Sequence, residues 1–168
     1  MLFKYLLAPI ALAAASVPYD DRSISKQIDF KTIVSVTETY KQSITNSCGS
    51  DNVQGVVNDL TQIYTPVVDI SEKFHNSVVK ADYVNAQAKI FGSFLVKFEA
   101  ILKVVSQHPK VYQGCRSKVP EFDSKFSLII SDFKKYNVDF RAALGGVKLD
   151  YDLWVKFGFK SQISLGLY

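Results

Sequence analysis

The end of the chain, residues 147–168, alternates between apolar and other side chains with few breaks. A period of two residues is typical of a β strand with one apolar and one solvated face. Such a strand needs a partner, because neither its edges nor its apolar face can be satisfied by the strand alone. Gly158 or residues 160–162 offer a bend, so the pattern predicts one strand or a hairpin. The apolar positions are Val147, Leu149, Tyr151, Leu153, Val155, Phe157, Phe159, Ile163, Leu165 and Leu167.

Before residue 145, apolar residues recur at the three- and four-residue spacing of amphipathic helices. The predicted helices cover residues 26–46, 50–80, 82–107 and 120–144, with a short helical turn at 109–115. Pro66 predicts an end or a kink inside the second helix, and Gly145 with Gly146 predicts the end of the last. We therefore expect a mainly α protein, an antiparallel bundle of four or five helices at 26–144 with a β tail at 145–168 packed on it.

The first 16 residues have the order of a secretory signal peptide. Lys4 provides the positive charge, an apolar run follows, and small residues before position 17 offer a cleavage site. Residues 17–25 are polar and predict a loose leader. The apolar run is too short for a membrane span. We expect the mature protein to be secreted and extracellular.

The charge of the chain argues against a nucleic-acid partner. Its formal net charge is +4, and no run of basic residues is longer than the pair at 134–135. A hydrophobic content of 48% argues against disorder, and the length suits one domain with a substantial core.

The two cysteines, Cys48 and Cys115, lie in turn-like sequence contexts. In an exported protein two cysteines usually form a disulfide. Here the bond would join the loop after the first helix to the loop before the last, and would stabilise the fold by about 4 kcal/mol. The alternative of redox or metal-binding thiols lacks a CxxC spacing and neighbouring histidines.

The chain carries no recognised catalytic motif. His75 and His108 have no second histidine or carboxylate at ligand spacing, so we expect no metal site. Asp150 and Asp152 could act as paired carboxylates, but on the wet face of a strand such residues usually solvate an edge. We therefore expect a non-enzymatic protein without catalytic residues or cofactors.

Two predicted helix faces are rich in phenylalanine, and the chain holds 12 Phe in all. At helical spacing these residues usually form a core. The alternative is that they line a cavity for a fatty acid, a sterol or a similar guest. The residues concerned are Phe91, Phe94, Phe98, Phe122, Phe126 and Phe133.

The apolar spacing over Val53, Leu60 and Val67, and over Leu95–Leu102 with Phe126–Phe133, resembles that of small secreted proteins of fungi. Within that group it is most similar to the hydrophobic surface-binding and cell-wall mannoprotein family. The resemblance implies a helical, secreted fold and a lipid ligand or an apolar surface as partner. The cysteine pair and the alternating tail depart from the family pattern, and the resemblance assigns no functional residue.

Two hypotheses for function follow. In the first, the protein is secreted, has no enzymatic activity, and binds a lipid-like ligand or a hydrophobic surface through its phenylalanine faces and its tail. In the second, it is a secreted effector or a structural cell-wall protein whose β tail contacts another protein, pairs with a second copy, or touches a membrane.

Overall fold

A computed structural model describes residues 28–161 of the chain. The predicted signal peptide and leader, and residues 162–168 of the predicted β tail, lie outside the described residues. The elements in chain order are α1 (Lys31–Gly49), α2 (Val53–His75), α3 (Ala81–Ser106), α4 (Pro109–Cys115), a 3-10 turn (Arg116–Lys118), α5 (Val119–Lys135), α6 (Phe140–Ala143) and α7 (Tyr151–Phe157).

The helices form the predicted bundle around one apolar core. α1 packs against α2 and α3, α2 packs against α5, and α4 contacts both α2 and α3. Each long helix buries the stripe that its three- and four-residue spacing predicts, so the helical part of the prediction is confirmed. The buried stripe of α2, for example, consists of Val56, Leu60, Ile63, Val67, Ile70 and Phe74.

α2 runs without interruption through Pro66, so the predicted end of the helix at this residue is wrong. Proline removes one backbone donor from the helix. The burial of Val67 and Ile70 beyond it continues the stripe and offsets that loss. Asn52 caps the start of α2, where its side chain accepts a hydrogen bond from the Gly55 N–H over 2.9 Å.

The predicted fourth helix, 120–144, is two helices in the structure. α5 ends at Lys135, and Asn137 adopts a positive φ of 56°, which interrupts the helical path. α6 is a single turn after this break. Asparagine is among the few residues that adopt such a conformation readily, which is why the chain can turn here without glycine.

The segment before α1 is held inside the bundle by α3. Gln87 Oε1 accepts the Phe30 N–H over 3.0 Å, and the Tyr83 hydroxyl donates to the Ile28 carbonyl over 2.6 Å. Both Ile28 and Phe30 are fully buried. Their burial and these two hydrogen bonds fix the entry of the chain into α1.

The prediction of a β strand in the tail is wrong for the part that the structure describes, because residues 28–161 contain no strand. Residues 151–157 form helix α7 instead. Leu149, Leu153 and Phe157 lie four residues apart. Residues at this spacing share one face of a strand, but they also share one face of a helix. A helix satisfies its own backbone hydrogen bonds, whereas a single strand would have none.

Two residues outside the apolar alternation, Asp150 and Gly158, set the ends of α7. Asp150 caps it by accepting the Leu153 N–H over 3.1 Å, and Gly158 ends it with a φ of 89°. The helix buries Trp154, which the strand prediction placed on the wet face, and exposes Tyr151 and Val155. The paired carboxylates Asp150 and Asp152 therefore serve the first turn of a helix, where negative charge is favourable.

Candidate functional site

The six phenylalanines predicted to line a ligand site are all buried, and their rings pack against one another and against other aromatic side chains. Ring centroids lie 5.8 Å apart for Phe91 and Phe94, 5.5 Å for Phe94 and Phe126, and 4.9 Å for Phe98 and Phe122. These are ordinary distances for packed aromatic pairs. Phe91, Phe94, Phe126 and Phe133 therefore form the centre of the core.

Phe98 and Phe122, by contrast, reach an apolar cleft at the edge of this core. One wall comes from α2 and α3, another from Cys115 and the residues that follow it, and the third from the tail. The cleft has a cavity volume of about 20 Å³. The lining residues are Leu60, Phe98, Ile101, Leu102, Val105, Cys115, Lys118, Val119, Phe122, Phe157 and Phe159.

The tail supplies the cover of this cleft. We refer to residues 147–161 as the strap, and to the cavity beneath it as the strap cleft. Phe157 and Phe159 of the strap face the cleft, and Phe159 packs against Phe98 and Phe126 with centroids 6.0 and 5.8 Å apart. The structure thus brings together two features that the sequence presented separately, a phenylalanine face and an amphipathic tail.

A buried carboxylate, Glu99, anchors the strap to α3. Its Oε2 accepts the Asp150 N–H over 2.7 Å and the Trp154 Nε1–H over 2.9 Å. Its Oε1 lies 2.8 Å from Lys103 Nζ. The hydrogen bond to Glu99 and its negative charge raise the pKa of Lys103. Each oxygen of this carboxylate therefore has a partner, as a buried charge requires.

Two further polar contacts hold the other end of the strap. Asp123 Oδ1 accepts the N–H groups of Lys160 and Ser161 over 2.9 and 2.8 Å. The Tyr112 hydroxyl donates to the Lys156 carbonyl over 2.6 Å. The strap is therefore fixed at its start, middle and end by side chains of α3, α4 and α5.

Glycines flank the helical part of the strap. Gly145 and Gly146 have φ values of 61° and 82°, in the region that favours glycine. Gly158 has a φ of 89° and separates α7 from Phe159. These positions let the chain reverse from α6 onto the bundle and place Phe157 and Phe159 at the same cleft.

The two cysteines are buried free thiols in the structure. Cys115 lines the strap cleft and Cys48 lies in the last turn of α1. Burial, and then the nearby charge of Cys48, raise the pKa of Cys115 to about 11, while burial raises the pKa of Cys48. Burial therefore disfavours the thiolate, which is the reactive form of each cysteine. The predicted disulfide stays a prediction.

One polar pair was not foreseen from the sequence. His75 Nδ1 lies 3.1 Å from Oδ2 of the buried Asp132, whose Oδ1 is 2.6 Å from Lys135 Nζ. The residues are remote in sequence, so only the packing of α2 on α5 shows the pairing. Within residues 28–161 no group of three or more His, Cys, Asp or Glu side chains is arranged to hold a metal ion.

Glu99 was also missed, although its position offered a signal. It follows Leu95 by four residues and precedes Leu102 by three, so it lies on the apolar stripe of α3. A charged residue at such a position needs a buried partner, and the strap provides two donors for it, the Asp150 N–H and the Trp154 Nε1–H. None of the described helices has the combination of length and hydropathy that a membrane span needs.

No protein-family model, no curated protein and no solved structure matches this chain. The resemblance to fungal hydrophobic surface-binding proteins stays a prediction.

Proposed function

We propose that this is a secreted, non-enzymatic protein that binds an apolar, lipid-like ligand in the strap cleft. The observation that carries the proposal is the lining of the cleft. Among its eleven residues Lys118 alone is charged, and the others are apolar apart from the thiol of Cys115. Ligand sites are typically concave and apolar with few polar groups.

The closed cleft is smaller than such a ligand. A cavity of about 20 Å³ has room for about one water molecule. A hydrocarbon chain therefore enters only when the strap moves, since Phe157 and Phe159 occupy the outer wall. The flanking glycines provide the backbone freedom for that movement.

The chemistry of the cleft favours an apolar chain over a polar ligand. A polar ligand would lose its hydrogen bonds to water and find few new partners there. Burial of an apolar chain is favourable by about 25 cal/mol for each Å² removed from water. Lys118, paired with Glu121 over 3.1 Å, is suited to meet the polar end of an amphiphile.

Titration with a fluorescent polyene fatty acid tests the proposal. We expect saturable binding to the wild-type protein. In Val119→Trp the indole ring fills the cleft, so the affinity should be weaker by about tenfold or more. The matched control is Val78→Trp, at a residue that is 72% exposed between α2 and α3. If Val119→Trp does not fold, Leu102→Phe replaces it in the test, because it fills a smaller part of the cleft.

Circular dichroism establishes that each variant is folded before the titration. The proposal fails if the wild-type protein does not bind the probe. It also fails if folded cleft-filling variants bind the probe as well as wild type does.

A second candidate function is favoured by the outer face of the strap. Val147, Tyr151 and Val155 lie four residues apart and are 47%, 36% and 46% exposed. Through this face the protein would attach to an apolar surface, to a partner protein or to a second copy. Tyr151→Ser combined with Val155→Asp should then abolish adsorption to apolar beads or reduce the mass in solution. Probe binding in the strap cleft should be unchanged, which separates the two functions.

A further inference from the structure

Cys48 and Cys115 each lie at or next to the last residue of a helix. Cys48 is in the last turn of α1, and Cys115 is the last residue of α4. They are 0% and 2% exposed and belong to one continuous apolar core. α4 also packs on α2, the helix that follows Cys48 in the chain.

Two contacts join the residues after Cys48 to the residues before Cys115. Lys110 Nζ lies 3.8 Å from Asp51 Oδ2, three residues after Cys48. Gly114, next to Cys115, packs against Val53 so closely that a Cβ at Gly114 would clash with Val53 Cγ1. The chain that follows Cys48 is therefore held against the chain that leads into Cys115. The influence of Cys48 on the pKa of Cys115 agrees with this proximity.

We propose that Cys48 and Cys115 form an intramolecular disulfide in the exported protein, a bond that ties the end of α1 to the wall of the strap cleft. The oxidant is the disulfide of a thiol oxidoreductase or of a small dithiol compound. One cysteine thiolate attacks that disulfide and displaces one thiol. The second cysteine thiolate then attacks the mixed disulfide, forms the Cys48–Cys115 bond, and releases the other thiol of the oxidant.

The order of events follows from burial. The folded protein keeps both thiols away from solvent and in the protonated form, so oxidation takes place during folding, while the cysteines are still accessible. The proposal rests on the predicted export of the chain to an oxidising compartment. It does not depend on ligand binding, and a failure of either proposal leaves the other standing.

Mass spectrometry of the full chain, secreted from a host through its own N-terminal segment and purified without reductant, tests the bond. After alkylation in denaturant, we expect no alkylated cysteine and an intact mass lower by two hydrogen atoms than that of the reduced protein. Digestion should release one linked peptide that contains both cysteines. Reductant should lower the melting temperature of the wild-type protein and leave that of Cys48→Ala/Cys115→Ala unchanged.

Two results would overturn the proposal. The first is alkylation of both cysteines in the secreted, unreduced protein once it is unfolded. The second is a covalent dimer that reductant converts to monomer, since it would assign the cysteines to a bond between copies. The wild-type mass decides the matter even if the double variant does not fold.

Discussion

Trp154 Nε1 donates a hydrogen bond to Glu99 Oε2 over 2.9 Å, and this contact joins the strap to α3 inside the protein. The same oxygen accepts the Asp150 N–H over 2.7 Å. One carboxylate oxygen therefore fixes both the start of α7 and the indole at its centre. Because Phe157 and Phe159 follow on the same segment, the position of the cleft cover depends on this carboxylate.

Removal of the carboxylate should destabilise the protein. Glu99→Ala leaves the Asp150 N–H and the Trp154 Nε1–H without their acceptor, at a cost of about 2–5 kcal/mol. Glu99→Gln keeps one acceptor oxygen and should cost less. Urea unfolding measures both. The control is Glu38→Ala, which removes an ion pair with Lys97 at the surface and should cost no more than about 1 kcal/mol. Equal losses for Glu99→Ala and Glu38→Ala would contradict the role of Glu99.

Trp154→Phe isolates the indole hydrogen bond. The variant keeps an aromatic ring against Phe98 and Phe159 but removes the donor to Glu99, so we expect a loss of about 1–3 kcal/mol. Faster amide hydrogen exchange in residues 150–157 should accompany this loss, because the anchor of α7 is weaker. Unchanged exchange in that segment would show that the hydrogen bond does not hold the strap.

The end of α7 depends on the conformation of Gly158. Its φ of 89° lies where a side chain is strained, so Gly158→Ala should destabilise the fold by about 1–2 kcal/mol although no atom obstructs the new Cβ. Gly49→Ala is the matched control, at a glycine in α1 that also has open space around it. There alanine should stabilise the protein by up to about 1 kcal/mol. Chemical unfolding measures the change in the free energy of unfolding for each variant. A change of the same sign in both variants would contradict the role of Gly158 in ending α7.

In the reduced protein the buried thiols should make stability fall at alkaline pH. Burial raises the pKa of Cys115 from 9.0 to about 11, so the thiolate forms first in the unfolded chain. The buried, protonated thiol of Cys115 makes its full contribution to stability below pH 9, and this contribution is lost as the pH rises to about 11. The loss should reach about 2–3 kcal/mol.

Unfolding curves from pH 8 to pH 11, compared with those of reduced Cys115→Ala, measure this contribution. The difference between the two proteins isolates Cys115 from tyrosines and lysines that titrate in the same range. If the stability of the wild-type protein and that of Cys115→Ala change in parallel with pH, the raised pKa of Cys115 is contradicted. In protein that carries the proposed disulfide, this thiol contribution should be absent.

The bundle could be predicted because its evidence is local and redundant. The stripe of α2, from Val56 to Phe74, is visible without knowledge of what covers it. The same holds for the buried faces that contain Phe94 and Phe126. Whether those rings enclose a guest or pack on one another is decided by distances between helices, which periodicity does not contain.

The strap could not be predicted from its apolar pattern, because that pattern fits two structures. The spacing of Leu149, Leu153 and Phe157 fits both a strand and a helix. In the structure, Asp150 and Gly158 cap the two ends of a helix, and only these caps distinguish it from a strand. Trp154 is buried because Glu99, far away in sequence, accepts its N–H. The cleft likewise depends on tertiary packing, since it joins residues from Leu60 to Phe159.

Trp154 is the only tryptophan of the chain, and its indole N–H is therefore a unique reporter of the strap. The most direct test of ligand binding beneath the strap is to follow this N–H by nuclear magnetic resonance during titration of ¹⁵N-labelled protein with a monomeric fatty acid. We expect a saturable shift of this N–H in the wild-type protein, and a shift that needs a higher fatty-acid concentration in Leu102→Phe, which fills part of the cleft and keeps Trp154 as the reporter. An indole signal that stays in place in the wild-type protein, while the fatty acid remains free, would contradict the account.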